Sequence, residues 1–412
     1  IISIRFCRFI SCELIRLGQI PVFRREVRRM TVYKFADIAF NSTEKKKPEP
    51  SDKDVYIGLE HLDPGILEVT RYGAAVAPKG DKLVMRKGDV LFGRRRAYQK
   101  KVAIAPFDGI FSAHGMVLRP RTEVVDPGFF PFFISSDCFL DEAIRVSVGS
   151  LSPTANWKDL KELSFDLPSL DEQREIAGIM RTAERAKAGY RALIKASDDL
   201  VKSRFIEMFG DPTSLTPRFP LKPIGELATD IRYGTSKKAG DEGEYAYLRM
   251  NNMTDEGCLD FTDTKRITLS GVELENCLVK KGDLLFNRTN SREKVGKTAV
   301  FSEDTPMVIA GYIIRVRLNS EMRTRYLSAY MNLDSTKRLL RTIAKGAVHQ
   351  ANINSKELAS IEVPVPPMRL QDSFLSFVDQ VDKSKFALQK TLDDLDAMTR
   401  KLMSEELGLG NV

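Results

Sequence analysis

The chain is written twice. Arg86-Lys-Gly-Asp-Val-Leu-Phe-Gly-Arg94 returns as Lys280-Lys-Gly-Asp-Leu-Leu-Phe-Asn-Arg288, 194 residues later. Asn156-Trp-Lys-Asp-Leu160 returns as Asn354-Ser-Lys-Glu-Leu358, and Leu167-Pro-Ser-Leu-Asp-Glu-Gln173 as Val365-Pro-Pro-Met-Arg-Leu-Gln371, both 198 residues later. Tyr56-Ile-Gly-Leu-Glu-His-Leu62 faces Tyr247-Leu-Arg-Met-Asn-Asn-Met253 at an offset of 191, and Gly210 and Gly408 close the two copies. Several matches in one order, with an offset that drifts as loop insertions shift it, mark a tandem duplication. A unit of about 200 residues is too long for a solenoid repeat and suits a globular domain with an appendage.

Each copy splits in two. The first part alternates short apolar runs with Gly, Pro and Asp turns, so Val84–Phe92 and Cys277–Phe286 read as strand, turn, strand. Phe129–Ser135 and Arg325–Leu333 read as short helices. The second part, from Leu170 to Phe209 and from about Met368 to Leu407, lacks proline and is helical. Ile176, Ile179, Ala183, Ala186, Tyr190, Leu193, Ser197 and Leu200 step by threes and fours, the seam of a coiled coil. Phe374, Phe377, Val381, Ser384, Leu388, Thr391, Leu395, Met398 and Leu402 repeat that seam. Forty helical residues make a rod of roughly 60 Å, longer than a head needs, so the two helices are expected to pair with each other. The expected fold is mixed α/β (α+β): two similar globular heads joined by two long antiparallel coiled-coil helices with pseudo-two-fold symmetry. The boundaries read as head one 30–168, central helix 169–210, head two 211–366 and second long helix 367–408. The competing arrangement packs each helix on its own head.

Residues 1–29 stand apart. Seven Arg and two Glu carry +5 of the formal +8, leaving +3 for residues 30–412. Arg5, Arg8 and Arg16 interrupt the apolar stretch, against a secretory signal. The leader reads as sequence upstream of a start at Met30, the alternative being a basic amphipathic arm. Elsewhere, 42% hydrophobic and 29% charged residues describe a globular protein, and no apolar run reaches a membrane span. Five scattered cysteines without a CxxC pair and three histidines argue against disulfide frameworks and metal sites, and favour a cytoplasmic setting.

Two heads on a paired rod suit a polymer with spaced sites. Double-stranded DNA rewards that geometry, and heads of diverged sequence predict a bipartite, asymmetric target. The candidate contacts in head one are Arg94, Arg95, Arg96, Tyr98, Lys100 and Lys101, just after a strand. The equivalent place in head two holds Arg288, Asn290, Arg292, Lys294 and Lys297. Arg232, Ser236, Lys237, Lys238, Asn251, Asn252, His349 and Gln350 complete the candidate set. Arg pairs with guanine edges, Asn with adenine, and Lys meets phosphates. For any single basic residue the competing reading is a solvated loop. The near-neutral balance of residues 30–412 calls for a partner that adds basic surface.

Catalytic signatures are missing. Ser291-Arg-Glu-Lys-Val-Gly-Lys-Thr298 lacks the first glycine of a P-loop, and a strand-like segment follows where a helix should start. No methyltransferase or nuclease motif stands out, so the chain reads as a recognition module without catalytic or metal residues.

These residues resemble the specificity subunit of type I restriction–modification enzymes. The resemblance spans nearly all of 31–408 and is carried by Lys87-Gly-Asp-Val-Leu-Phe92 with its copy Lys281–Phe286, and by Leu167–Ala177. Lys202-Ser-Arg-Phe-Ile-Glu-Met-Phe-Gly-Asp211, Tyr233–Lys238, Leu248–Asn252, Phe286–Ser291 and Val363–Pro367 add to it. It implies two target recognition domains and a helical spacer that docks two methyltransferase (modification) subunits, completed by two restriction/translocase subunits. S-adenosylmethionine and ATP/Mg are then expected on those partners, with no cofactor on this chain. One departure is Met368-Arg-Leu-Gln371, which lacks the acidic residue that precedes Gln173. The competing function is a coiled-coil scaffold that grips protein partners.

Overall fold

The computed structural model describes residues 30–212, 214, 216–347 and 350–407. The leader 1–29, His349 and Gly408 lie outside the described residues. The chain divides into two compact units. One holds the described residues up to Ala188 and from Asp393 onward; the other holds Gly189–Leu392.

In the first unit, head one is built on two four-stranded sheets. The antiparallel sheet runs Ala39–Ser42, Met116–Pro120, Val90–Phe92, Val102–Ile104. The mixed sheet runs Lys45–Lys46, Lys82–Met85, Gly109–Phe111, Tyr56–Ile57, its last pair parallel. Thr31–Lys34 pairs with Ser164–Leu167 to tie the ends of the head together. Phe92, Phe130, Phe133, Phe139 and Phe165 pack in one core with Ile176, Ala177 and Met180 of the first long helix, Met403 of the second and Leu407 just after it.

Head two, in the other unit, repeats the plan. Its antiparallel sheet runs Ala228–Tyr233, Ile313–Leu318, Leu284–Asn287, Thr298–Val300. Its mixed sheet runs Lys265–Ile267, Tyr245–Leu248, Met307–Ile309, Leu278–Val279. Leu221–Pro223 pairs with Glu362–Pro364.

The repeated Lys-Gly-Asp string is a corner between sheets. Lys82–Met85 and Val90–Phe92 lie in different sheets, so the turn between them passes the chain from one layer to the other. Gly88 and Gly282 take φ of 92° and 95°, which side-chain-bearing residues adopt at a cost. Asp89 accepts from Arg86 N at 2.8 Å, and Asp283 from Lys280 N at 2.9 Å. Each buried carboxylate then takes a bidentate arginine from the neighbouring strand: Arg119 at 2.7 and 2.8 Å, Arg317 at 2.9 and 3.1 Å.

The long helices are Leu170–Phe209 and Met368–Glu406, and they run antiparallel within each unit. In the first unit Lys187 meets Asp396 and Thr399; in the second, Asp198 meets Lys385 and Phe205 meets Phe374. The seam differs from the apolar pattern by one residue at every second position. Met180 and Lys187 are buried, and Val201 is half-buried, whereas Leu193 and Leu200 are exposed. In the second helix Leu392 and Thr399 face inward while Ser384 and Met398 face water. Two of the inward positions, Lys187 and Thr399, are polar. Lys187, 4% exposed, sits among Glu184 at 2.9 Å, Asp396 at 2.8 Å and Thr399 at 2.8 Å. Its copy Lys385 pairs with Asp198, the copy of Asp396.

Buried glutamines join helix to head. Gln173 donates to Pro168 O (2.9 Å) and Val124 O (3.2 Å) and accepts from Asp126 N (2.8 Å). Gln371 donates to Pro366 O (2.9 Å) and Glu321 O (3.0 Å) and accepts from Arg323 N (2.8 Å). The first helix also has a capping box, Ser169 with Glu172, which the second lacks because Leu370 stands in place of the glutamate.

Candidate nucleic-acid interface

In head one the basic loop Gly93–Lys101 joins two strands of the antiparallel sheet. A single turn of 3₁₀ helix, Ala97–Gln99, is flanked by Arg96 at φ 56° and Lys100 at φ 49°. Among the described residues these are the only non-glycine positions with positive φ. The loop is laced to the segment Val146–Ala155: Arg96 N donates to Pro153 O at 2.7 Å and Ala155 N to Arg94 O at 3.0 Å.

The structure sorts the candidate side chains of this loop. Arg95, Arg96 and Tyr98 are exposed. Arg95 Nη1 lies 3.4 Å from His114 Nε2, and Arg96 Nε donates to Ser152 Oγ at 3.4 Å, both long and easily exchanged. Arg94 is half-buried, its Nε enclosed without an acceptor. Lys100 is held by Asp137 at 2.7 Å and Asp141 at 2.8 Å. Burial pulls its pKa down, and these carboxylates more than offset that, so the net direction is upward. Lys101 donates to Leu59 O at 2.7 Å. The two lysines therefore fasten the loop, while Arg95, Arg96 and Tyr98 face outward.

Head two also divides its candidates into open and engaged side chains. The Arg288 guanidinium lies 4.7 Å from the centre of the Tyr233 ring and donates to Gly311 O at 3.3 Å. Tyr233 OH donates to Ser355 Oγ at 2.8 Å and accepts from Ser355 N at 2.7 Å. Ser236, Lys238, Asn251, Lys294 and Gln350 are exposed. Arg232 pairs with Asp230 at 2.8 Å and Lys237 with Glu273 at 2.6 Å, both on the surface.

Three candidates are committed within the head. Asn252, 2% exposed, accepts from Arg249 N and donates to Asp260 O and Asp263 O. Asn290 donates to Asn287 Oδ1 and accepts from Ser291 N. Arg292 donates to Arg341 O and Gly346 O, both at 3.0 Å, tying a helix end to a hairpin. The P-loop-like string gives a strand at Thr298, and its Lys297 is spent on Met253 O and Asp255.

Sequence reasoning passed over Tyr233, exposed Tyr312 beside Arg288, and the exposed Val148 and Leu151 beside Arg96. A search for basic clusters does not select them, because their neighbours come from distant parts of the chain. A cleft of about 1010 Å³ in the second unit is lined by Lys202, Lys294 and Lys337 but also by Asp198, Asp255 and Asp334. The mixture of signs makes it a poor seat for a polyanion. Among the described residues no helix is long and apolar enough to cross a membrane, and no group of His, Cys, Asp and Glu is arranged to hold a metal.

Comparison with known proteins bears on these surfaces. Residues 29–194 and 219–395 each match the type I restriction modification DNA specificity domain. The chain belongs to that family. It is 25% identical over 348 residues to the type I restriction enzyme EcoKI specificity subunit of Escherichia coli (strain K12), covering 79% of this chain and 73% of that one. It is 24% identical over 345 residues to the StySPI specificity subunit of Salmonella potsdam, covering 79% and 72%. A solved structure from work on complex assembly and conformational transition of the type I R-M system shares the fold. Its TM-score is 0.50 at 19% identity, covering 94% of this chain and 98% of that one. As a specificity subunit the chain recognises DNA sequence and is not itself a catalyst, and the two matches correspond to the two copies read from the sequence.

Proposed function

We propose that the subunit binds a bipartite, asymmetric duplex site, one half read by each head. The heads are residues 30–168 and 211–366, and the paired helices 169–210 and 367–408 set the interval between half-sites. The observation that carries this reading is the repeated connection between the same two strands of each head: in head one it presents Arg95, Arg96 and Tyr98 outward, and in head two it holds Arg288 against Tyr233 and an exposed Lys294, on unlike sequences. Arg94, Arg95, Arg96 and Tyr98 serve head one. Arg232, Ser236, Lys237, Lys238, Asn251, Arg288, Lys294 and Gln350, with His349 alongside in sequence, serve head two. Lys100, Lys101, Asn252, Asn290 and Arg292 act by holding those surfaces in shape.

The subunit positions two adenine methyltransferase subunits and two restriction subunits in the cytoplasm. S-adenosylmethionine and ATP/Mg bind those partners. The near-neutral charge of residues 30–412 supports a need for partner surface in DNA binding. The test is to co-express the chain with its methyltransferase in a methylation-free host and map N6-methyladenine. A new bipartite motif with one modified adenine in each half is the expected result. A stable complex that leaves no motif would sink the reading in favour of a protein scaffold.

A further inference from the structure

The segment after the helix Asp137–Arg145 folds back on itself. Val148 and Thr154 exchange both backbone hydrogen bonds, at 3.1 and 3.0 Å, so residues 149–153 form the tip of a tight hairpin. Gly149 at φ 120° makes the bend. Thr154 also bridges to Arg95, which fixes one strand of the hairpin to the arginine loop. Leu151 at the tip is 91% exposed and Val148 at its base 66%. A single exposed leucine is ordinary on a protein surface. Two aliphatic side chains on one short hairpin, beside three consecutive arginines and the left-handed Arg96, form a patch of defined chemistry.

We infer that the hairpin Val148–Thr154 enters the major groove of half-site one, with Leu151 laid against base edges and Arg95 and Arg96 on the flanking bases and phosphates. This rests on the reading that head one contacts DNA. Two observations favour a duplex occupant. The flanking guanidiniums complement phosphates, and an apolar tip matches the one apolar feature of base edges, the thymine methyl. A two-stranded ribbon fits a major groove about 12 Å wide more readily than an undeformed minor groove of about 6 Å. Head two holds a hairpin at the same place: Lys345–Ala347 pairs with Gln350–Asn352, backed by Thr289–Asn290. Asn352 lies 198 residues after Thr154, and Thr289 lies 194 after Arg95, the offsets of the duplication. The paired base of the finger is common to both heads, and the sequence that joins its strands is not, as two different half-sites require.

The test uses the full chain with its methyltransferase and the mapped target. Leu151→Ala and Leu151→Ser, at an exposed position, should leave the melting temperature and methyltransferase co-purification unchanged. They should weaken binding to the intact target about tenfold, the scale of one lost base contact. They should leave unchanged the binding of a duplex in which half-site one is scrambled. Unchanged affinity for the intact target overturns the inference. Loss of methyltransferase co-purification overturns it too, and makes the tip a protein contact. A rise in 2-aminopurine fluorescence on binding, absent in Leu151→Ala, would place the leucine in the base stack and overturn the groove seat. Arg95→Ala combined with Arg96→Ala separates the two readings. If that variant loses half-site one while Leu151→Ala does not, only the hairpin proposal fails. If neither loses it, head one's role on DNA fails.

Discussion

Head one and head two share their joints and differ in their edges. The Asp89–Arg119 corner recurs as Asp283–Arg317, the Gln173 clasp as Gln371, and the Lys187–Asp396 seam pair as Lys385–Asp198. The mixed sheets keep three strands in common, but the fourth is added on opposite sides. Lys45–Lys46 extends the sheet beside Lys82–Met85, whereas Lys265–Ile267 extends it beside Tyr245–Leu248. A buried charge or amide can change only together with its partner, so these pairs survive divergence. An edge strand or an exposed loop carries no such constraint and is free to follow the DNA it meets.

Breaking a shared joint gives the largest expected effect. Asp89→Ala should cost about 3 kcal/mol, because it leaves a mostly buried guanidinium without its carboxylate. Asp283→Ala should cost less, since Arg317 is about a third exposed and can turn to water. Hydrogen exchange in each head separates the two. Equal losses would mean that the corners are not governed by burial. The seam lysines sharpen the same contrast. Lys187→Ala should destabilise by about 1–3 kcal/mol, through a cavity and unpaired partners, and Lys385→Ala by under about 1 kcal/mol, because its side chain is a quarter exposed. Lys187→Met, which fills the space without charge, should be neutral or stabilising in thermal melts. A large loss there would show that the charge itself holds the pair.

Recognition should break one head at a time. Replacing Arg95 and Arg96 with alanine should weaken half-site one by about 1–3 kcal/mol per lost base contact and leave half-site two intact. Arg288→Ala should do the reverse. It should also loosen Tyr233, whose ring the guanidinium covers, so Arg288→Lys should restore only part of the binding. Competition binding with half-site variants reads both effects. Loss of both halves from either change would contradict independent heads.

Duplication, strand-rich heads and paired helices were legible because each leaves a long periodic or repeated signal. The seam frame was not: hydrophobic counting placed Ala186 inward, while Lys187 is the buried residue and Thr399 replaces Met398. A lysine reads as surface until its carboxylate partner on a distant segment is known. The Lys-Gly-Asp string reads as a turn between strands, yet nothing local says that those strands belong to different sheets. The candidate site suffered in the same way. Lys100 and Arg95 look alike in sequence, and only Asp137 and Asp141, on a later helix, separate a fastener from an open side chain.

The smallest contrast lies at the second residue of one helix in each head, Cys138 of Asp137–Arg145 and Ser335 of Asp334–Ile343. Burial pushes the Cys138 thiol up to about 11. An unfolded cysteine titrates near 8.5, so above that pH the unfolded chain loses a proton that the folded head retains. Stability from this group is therefore complete below about pH 8.5 and declines as pH rises toward 11. The loss should stay near 1 kcal/mol at pH 9.5 and grow by up to about 1.4 kcal/mol per further unit. Cys138→Ser copies head two and carries no titrating group. The difference in urea-unfolding stability between wild type and variant should be constant from pH 6 to 8, then shift toward the variant above pH 9. A difference that stays constant to pH 10.5 would mean that the thiol reaches water in the folded head.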